Sequence, residues 1–157
     1  MTFMQLEQAL AQRLTKGKKT LAIAESCTGG LLGHRLTNIP GSSKFFLGGI
    51  ITYSNAAKIN LLKIPIKLLN RYGAVSKSVA AAMATRVRTT FKSDFGVSIT
   101  GIAGPTGGSK KKPVGLTYIG VATARETICL RCPFKGKRTR IKEQAADKAI
   151  KALLEFL

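Results

Sequence analysis

The chain has 157 residues, of which 45% are hydrophobic, and its 26 Lys and Arg outweigh 7 Asp and Glu to give a formal net charge of +19. This length and hydrophobic fraction fit one compact domain over residues 1–157 and exclude a disordered chain. No apolar run reaches the ~20 residues that a membrane-spanning helix needs, and the N-terminus lacks the pattern of a secretory signal. We therefore expect a cytoplasmic protein with no membrane partner.

The first part of the chain alternates predicted helices with short apolar strands. Apolar residues recur with a helical period over 3–16, whereas 20–26 is an apolar run typical of a buried strand. The glycine-rich stretch 28–39 predicts a helix that stops at Pro40. The aromatic and β-branched residues of 44–54 predict a second strand.

The rest of the chain predicts three helices, a strand, a hairpin and a final helix. In chain order these are helices at 55–62, 65–72 and 76–91, a strand at 95–102, hairpin strands at 114–123 and 126–134, and a helix over the last twenty residues. Strands that interleave with helices in this way predict an α/β fold, namely a three-layer α/β/α sandwich. The hairpin makes the predicted sheet mixed, although mostly parallel.

Three segments each leave the end of a predicted strand and enter a loop or helix: "AESCTGG" (24–30), "TYSNAAK" (52–58) and "TGIAGPTGG" (100–108). In open α/β sheets, ligands bind outside the carboxyl ends of the strands. If these three strands are parallel neighbours, the three segments meet in one cleft.

Two candidate nucleophiles stand side by side in the first segment, Ser26 and Cys27. A thiolate needs a base, but the only histidine, His34, lies seven residues further along the predicted helix, roughly 10 Å away. This distance favours Cys27 as a packing residue. Ser26 is either the N-cap of the helix or a nucleophile near its unpaired amides, and the motif alone does not separate the two roles.

Lys58 is predicted in the first turn of a helix that Ser54 or Asn55 caps. The positive end of a helix and burial both disfavour an ammonium group, and a lysine whose pKa is lowered can act as a base. Tyr53, just before the cap, could orient the lysine or relay a proton. The alternative is an exposed lysine on a short helix.

The third segment lacks both the ending of a P-loop and the spacing of a dinucleotide-binding motif. Its glycine-rich backbone can still cradle a phosphate, and the alternative is a flexible loop. Cys129 and Cys132 form a lone C-x-x-C in a predicted strand, where positions three apart point to opposite faces. We therefore expect no metal site, and the odd number of cysteines without an export signal predicts reduced thiols.

The basic residues are spread along the chain, and no nucleic-acid-binding motif accompanies them. We interpret the charge as a solvated basic surface and do not expect a nucleic-acid partner. A basic protein that associates with nucleic acid remains the alternative hypothesis.

Several long motifs together resemble one family. "LAIAESCTGGLLGHRLTNIPGSSKFFLGGIITYSNAAK", "GAVSKSVAAAMA" and "VSITGIAGPTGGSKKKPVGLTYI" are similar to the CinA C-terminal domain family, also called the PncC-type nicotinamide-nucleotide amidohydrolases. The resemblance runs over nearly the whole chain. It implies a single amidohydrolase domain that converts nicotinamide mononucleotide to nicotinate mononucleotide and ammonia, without a cofactor, as a homo-oligomer. A non-catalytic nucleotide-binding module of the same fold is the alternative.

The resemblance also implies the residues of the site. Ser26 corresponds to the family's serine nucleophile, and Tyr53 and Lys58 correspond to its tyrosine and lysine base pair. The amides near Thr28 and Gly29 would stabilise the oxyanion. The glycine-rich loop would bind the ribose phosphate, and two residues outside the loop would assist it. The loop residues are Thr100, Gly101, Gly104, Gly107 and Gly108, and the two assisting residues are Ser43 and Arg138.

Two positions depart from the family pattern. The late motif is usually G-D-R, and here Lys137 replaces the acidic residue. An acidic residue typically follows G-A-V-S, and here Lys77 stands in its place. Both changes add positive charge where we expect subunit contacts.

Overall fold

The computed structural model of the chain describes residues 2–157, apart from the side chain of Phe3. Over this range the chain forms six α-helices, one short 3₁₀ helix and five strands. Their bounds in chain order are α1 Phe3–Lys16, β1 Leu21–Glu25, α2 Leu31–Thr37, the 3₁₀ helix Ser42–Lys44, β2 Phe46–Ile51, α3 Asn55–Leu62, α4 Ile66–Tyr72, α5 Lys77–Phe91, β3 Phe95–Gly101, β4 Leu116–Ala122, β5 Thr127–Pro133 and α6 Arg138–Leu154.

The five strands form one mixed sheet in the order β2-β1-β3-β4-β5. Strand β1 pairs in parallel with both β2 and β3, and the two late strands pair antiparallel, β3 with β4 and β4 with β5. The predicted parallel neighbours are therefore confirmed. Because β1 lies between β2 and β3, the carboxyl ends of these three strands open at one edge of the sheet.

Helices cover both faces of the sheet, so the predicted three-layer sandwich is confirmed. Strand β1 shows why: Leu21 and Ile23 point into one apolar cluster, whereas Ala22 and Ala24 point into the other. Helices α1, α2 and α6 pack in the first cluster, and α3, α4 and α5 pack in the second. In the part of the chain that the structure describes, no helix is long and apolar enough to cross a membrane.

Helix α2 is shorter than its sequence predicts, because it begins at Leu31 rather than at residue 28. Gly29 and Gly30 have φ angles of 59° and 106°, a left-handed conformation that interrupts helix and favours glycine. The chain therefore makes a tight turn between β1 and α2. This turn carries Ser26.

Cys129 and Cys132 are free thiols on opposite faces of β5, as predicted. Lys77 of α5 is the charged neighbour of Cys129, whereas Lys148 of α6 is that of Cys132. Burial raises the pKa of both thiols. Within residues 2–157, no group of three or more His, Cys, Asp or Glu side chains is placed to hold a metal ion.

Candidate active site

A cavity of ≈ 230 Å³ opens at the carboxyl ends of the three parallel strands. Each of the three predicted segments contributes to its wall. The lining residues are Ser26, Cys27, Tyr53, Asn55, Lys58, Ala74, Val75, Thr100, Gly101, Ala103 and Arg138. No Asp or Glu belongs to this lining, which contains two cationic side chains.

Ser26 and Lys58 are in direct contact in this cavity. Lys58 Nζ donates to Ser26 Oγ at 2.9 Å and to the carbonyl oxygen of Thr52 at 2.6 Å. Lys58 is 1% exposed and Ser26 is 7% exposed. The two bonds hold the amine against the hydroxyl, in the arrangement of a base beside its nucleophile.

The same burial lowers the pKa of Lys58 from its usual 10.5 to about 8. Helix α3 adds to this environment, because Ser54 caps it and Lys58 lies at the end of its first turn, near the positive end of the helix dipole. An amine with a pKa of about 8 is partly neutral near neutral pH. Lys58 can therefore accept a proton, which an ordinary lysine cannot do.

Ser26 is not the N-cap of α2, because that position belongs to Gly30. The buried carboxylate of Glu25 instead accepts the first amides of the helix, from Leu32 N and Gly33 N at 3.0 Å each. It also accepts the Thr28 hydroxyl at 2.6 Å. Glu25 therefore satisfies the amides at the start of α2, and the Ser26 hydroxyl binds Lys58 instead.

The amide of Gly29 is not available for an oxyanion, whereas that of Thr28 is. The Gly29 N–H donates to the Ser26 carbonyl oxygen at 3.1 Å, which engages it inside the turn. The Thr28 side chain binds Glu25 and does not line the cavity. Of these two residues, the Thr28 N–H is the group that the described hydrogen bonds leave for an oxyanion.

Tyr53 lines the cavity, but its hydroxyl is not bonded to Lys58. Its Oη accepts from Arg138 Nη2 at 2.9 Å. Arg138 Nη1 also donates to the Gly104 carbonyl oxygen at 2.6 Å. The guanidinium thus bridges the segment after β2 and the loop after β3. Thr52, not Tyr53, is the second partner of the lysine amine.

The glycine-rich loop takes part in the cavity only through its first residues. Thr100 and Gly101 line the cavity, and the Gly104 carbonyl oxygen binds Arg138. Gly107 and Gly108 are exposed and lie outside the lining, which corrects their predicted role. The physical reason is that the loop folds toward α4, where the Lys112 ammonium donates to the Tyr72 carbonyl oxygen.

Ser43 is also placed away from the cavity. It lies in the exposed 3₁₀ helix before β2, at the amino end of a strand whose carboxyl end carries the site. At ~3.3 Å per residue, the six residues of β2 separate Ser43 from Tyr53 by more than 15 Å. Ser43 is therefore too far away to assist phosphate binding in the cavity of its own chain.

Cys27 lines the cavity beside Ser26 but is a poor nucleophile. The thiol is 7% exposed, and burial raises its pKa to about 11. Few thiolates form at neutral pH under these conditions. His34 is exposed on α2 and does not line the cavity, so the predicted lack of a cysteine–histidine pair holds within this site.

Sequence reasoning missed several residues of the site. Asn55 lies in the second motif and lines the cavity, and Thr52 supplies the carbonyl that holds Lys58. Ala74 and Val75 come from the turn before α5 and close one wall. An asparagine in the same motif as the candidate base was a usable signal, whereas small apolar residues in a turn give none.

The chain matches the CinA C-terminal domain over residues 3–157. It belongs to the CinA C-terminal domain family. Among its relatives, a protein of Moorella thermoacetica named for competence-damage induction is 51% identical over 152 residues, which are 97% of this chain and 37% of the relative. A CinA-like protein of Syntrophus aciditrophicus is 48% identical over 153 residues, which are 97% of this chain and 36% of that protein. The chain thus spans less than two fifths of the length of these relatives.

Solved structures of the CinA superfamily share the whole fold. The crystal structure of a competence/damage inducible protein from Agrobacterium tumefaciens superposes with a TM-score of 0.95 at 34% identity and covers 98% of this chain and 94% of its own. A CinA superfamily protein from Escherichia coli gives a TM-score of 0.95 at 34% identity over 99% and 91% of the two chains. The α/β architecture is therefore that of the CinA family.

Proposed function

We propose that this CinA domain is an amidohydrolase that converts nicotinamide mononucleotide to nicotinate mononucleotide and ammonia. The observation that carries the proposal is the 2.9 Å contact between Ser26 Oγ and the buried amine of Lys58. A hydroxyl beside an amine of lowered pKa is the minimal unit for nucleophilic attack on an amide. The resemblance of the motifs to the PncC-type amidohydrolases supplies the substrate.

The reaction proceeds in two halves. Neutral Lys58 takes the proton of Ser26 as Oγ attacks the carboxamide carbon, and the Thr28 N–H stabilises the oxyanion. The ammonium of Lys58 then returns this proton to the amide nitrogen, the C–N bond breaks, and ammonia leaves. In the second half, Lys58 takes a proton from water, whose oxygen attacks the acyl carbon, and returns it to Ser26 Oγ as the carboxylate is released.

Arg138 is the residue that we assign to the ribose phosphate. Its guanidinium lines the cavity and uses only two of its five N–H donors in the bonds to Gly104 and Tyr53. Lys137 precedes it as the N-cap of α6 and makes no side-chain capping bond, whereas the acidic residue of the family pattern could accept helix amides. No side chain at the N-cap therefore neutralises the positive end of the α6 dipole, which can attract an anion.

The net charge of +19 acts in the same direction. A cationic surface raises the local concentration of a phosphate-bearing substrate and its rate of association. Thr100 and Gly101 also line the cavity and bound the space that a mononucleotide would occupy.

An ammonia-release assay tests the function. Incubation of the wild-type chain with nicotinamide mononucleotide should release ammonia and nicotinate mononucleotide in equal amounts, which chromatography and a coupled assay measure. Binding of the nucleotide without any release would favour the non-catalytic module. If neither binding nor release occurs, and salt-sensitive binding to nucleic acid is found at physiological salt, the basic nucleic-acid-associated protein is favoured instead.

The pH dependence of kcat should follow the titration of Lys58. Lys58 acts as a base in its neutral form. Because its pKa is about 8, kcat should rise with pH and level off once the pH exceeds this pKa. Rates measured from pH 7 to 9.5 avoid the titration of the substrate phosphate near pH 6. A rate that is constant from pH 7 to 9.5 would contradict Lys58 as the base.

A further inference from the structure

Tyr53 is the one aromatic residue in the lining of the cavity. Its hydroxyl oxygen accepts from Arg138 Nη2, whereas the described bonds of Lys58 Nζ go to Ser26 and Thr52. To relay a proton, the Tyr53 hydroxyl would have to lie within about 3 Å of the group with which it exchanges the proton. The ring is therefore the part of Tyr53 that these bonds leave for a ligand.

Hydrogen bonds hold the backbone around Tyr53 and the hydroxyl at the end of its side chain. On one side, the preceding residue donates its N–H to the Glu25 carbonyl oxygen at 2.8 Å, and Ser54 caps α3 through the Ala57 N–H at 3.0 Å. On the other side, Arg138 fixes the hydroxyl. The side chain nevertheless remains 60% exposed. An aromatic ring that is fixed before a ligand arrives binds it at low entropic cost.

The charges of the lining restrict what can lie on this ring. Lys58 and Arg138 repel a cation, and the lining holds no carboxylate to attract one. The pyridinium ring of nicotinamide mononucleotide is cationic, whereas its phosphate is anionic. A tyrosine face attracts a cation within about 6 Å of its centroid through its negative quadrupole. Tyr53 is thus the lining group that favours a cationic ring.

We propose that the ring face of Tyr53 binds the pyridinium cation of the substrate and selects oxidised over reduced pyridine mononucleotides. The inference rests on the proposed function and deepens it. Because Arg138 touches the Tyr53 hydroxyl, the subsite for the ring adjoins the subsite for the phosphate. One end of the cavity therefore recognises both charges of the zwitterionic nucleotide.

Two ligands that differ only in the oxidation state of the nicotinamide ring test this preference, because reduction removes the charge and the aromaticity of the ring together. Nicotinamide mononucleotide has a cationic ring, whereas its reduced dihydro form has an uncharged ring with the same carboxamide, ribose and phosphate. Calorimetric dissociation constants are measured in the Ser26→Ala protein, which prevents turnover. We expect the oxidised form to bind about fivefold tighter or more. The ratio of kcat/KM for the two ligands in the chain with Ser26 intact is the second readout.

Three substitutions assign the preference to the ring. Tyr53→Phe keeps the ring and should keep the preference, although both affinities fall because Arg138 loses a partner. Tyr53→Leu keeps apolar bulk without a π face and should reduce the ratio of dissociation constants to about one. Tyr72→Leu is the matched control, because Tyr72 is an exposed tyrosine outside the lining and should leave the ratio unchanged.

The outcomes also separate this inference from the function on which it rests. Equal binding of the two nucleotides, a preference that survives Tyr53→Leu, or a preference lost in Tyr53→Phe would overturn the role of the ring while ammonia release still stands. Failure of both nucleotides to bind, with no ammonia released by the wild-type chain, would overturn the proposed function and the inference together.

Discussion

Ser26→Ala is expected to reduce ammonia release from nicotinamide mononucleotide by at least ~10⁴-fold, because it removes the atom that forms the acyl-enzyme. The fold should persist, since the change removes one hydroxyl at a turn that Glu25 holds through the amides of α2. Substrate binding should also persist, because Arg138 and Tyr53 are untouched. Initial rates and a calorimetric dissociation constant measured on the same preparation check both expectations.

Cys27→Ala is the matched control for the nucleophile. The neighbouring thiol lines the same cavity, and its raised pKa of about 11 leaves it protonated at neutral pH. We expect this variant to keep its rate within about tenfold of wild type, the difference reflecting lost packing. If Ser26→Ala turned over at a near-normal rate while Cys27→Ala did not, the thiol would be the nucleophile and the proposed mechanism would fail.

Lys58→Met is expected to lower the rate by ~10³-fold or more and to stabilise the protein at the same time. The rate falls because Ser26 loses its base. Stability rises because folding buries the ammonium, which lowers the pKa of Lys58 from 10.5 to about 8. A shift of this size corresponds to about 3 kcal/mol of folding free energy that the charged group costs at pH 7. Methionine fills the same space without a charge.

The pH dependence of this stabilisation has a defined sign. In the folded state Lys58 releases its proton near pH 8, whereas in the unfolded chain it does so near 10.5. The cost is therefore fully present below pH 8 and is relieved as the pH rises toward 10.5. The difference in unfolding free energy between Lys58→Met and wild type, measured in urea, should be large at pH 7 and clearly smaller at pH 9.5.

Two further variants separate the causes. Lys67→Met removes one positive charge from an exposed site on α4 and controls for the general effect of a net charge of +19. Lys58→Arg keeps a charge in the site but cannot lose it, so it should be as inactive as the methionine variant. An active Lys58→Arg protein, or a Lys58→Met protein whose stability relative to wild type is the same at pH 7 and pH 9.5, would contradict the buried base.

The local patterns of the sequence were sufficient for the elements and their layers. Alternating apolar strands and helices, with a late hairpin, predict a mixed sheet covered on both faces, and the chain forms it. The convergence of the three motifs follows from the same topology, because parallel neighbours end at one edge. The errors are local: Gly29 and Gly30 turn left-handed, so α2 starts three residues later than its pattern suggests.

The contacts of the side chains required the tertiary structure. Ser26 and Lys58 are 32 residues apart in the chain. The periodicity of the sequence does not indicate that Lys58, the fourth residue of α3, contacts the turn after β1. Tyr53 was expected to assist the lysine, yet its hydroxyl binds Arg138, 85 residues further along the chain. The glycine-rich loop looked uniform as a sequence, although only its first residues face the cavity.

The short-range periodicity of the amino-acid sequence therefore predicted the fold class and the edge of the sheet where the three motifs meet, whereas the resemblance to a family named the nucleophile and base candidates. The tertiary structure decided which candidates touch. It placed Ser26 against a lysine whose pKa burial lowers, gave Glu25 the amides of α2, and removed Ser43, Gly107 and Gly108 from the site. Contacts of this kind arise from the packing of distant segments, and local sequence patterns carry no record of it.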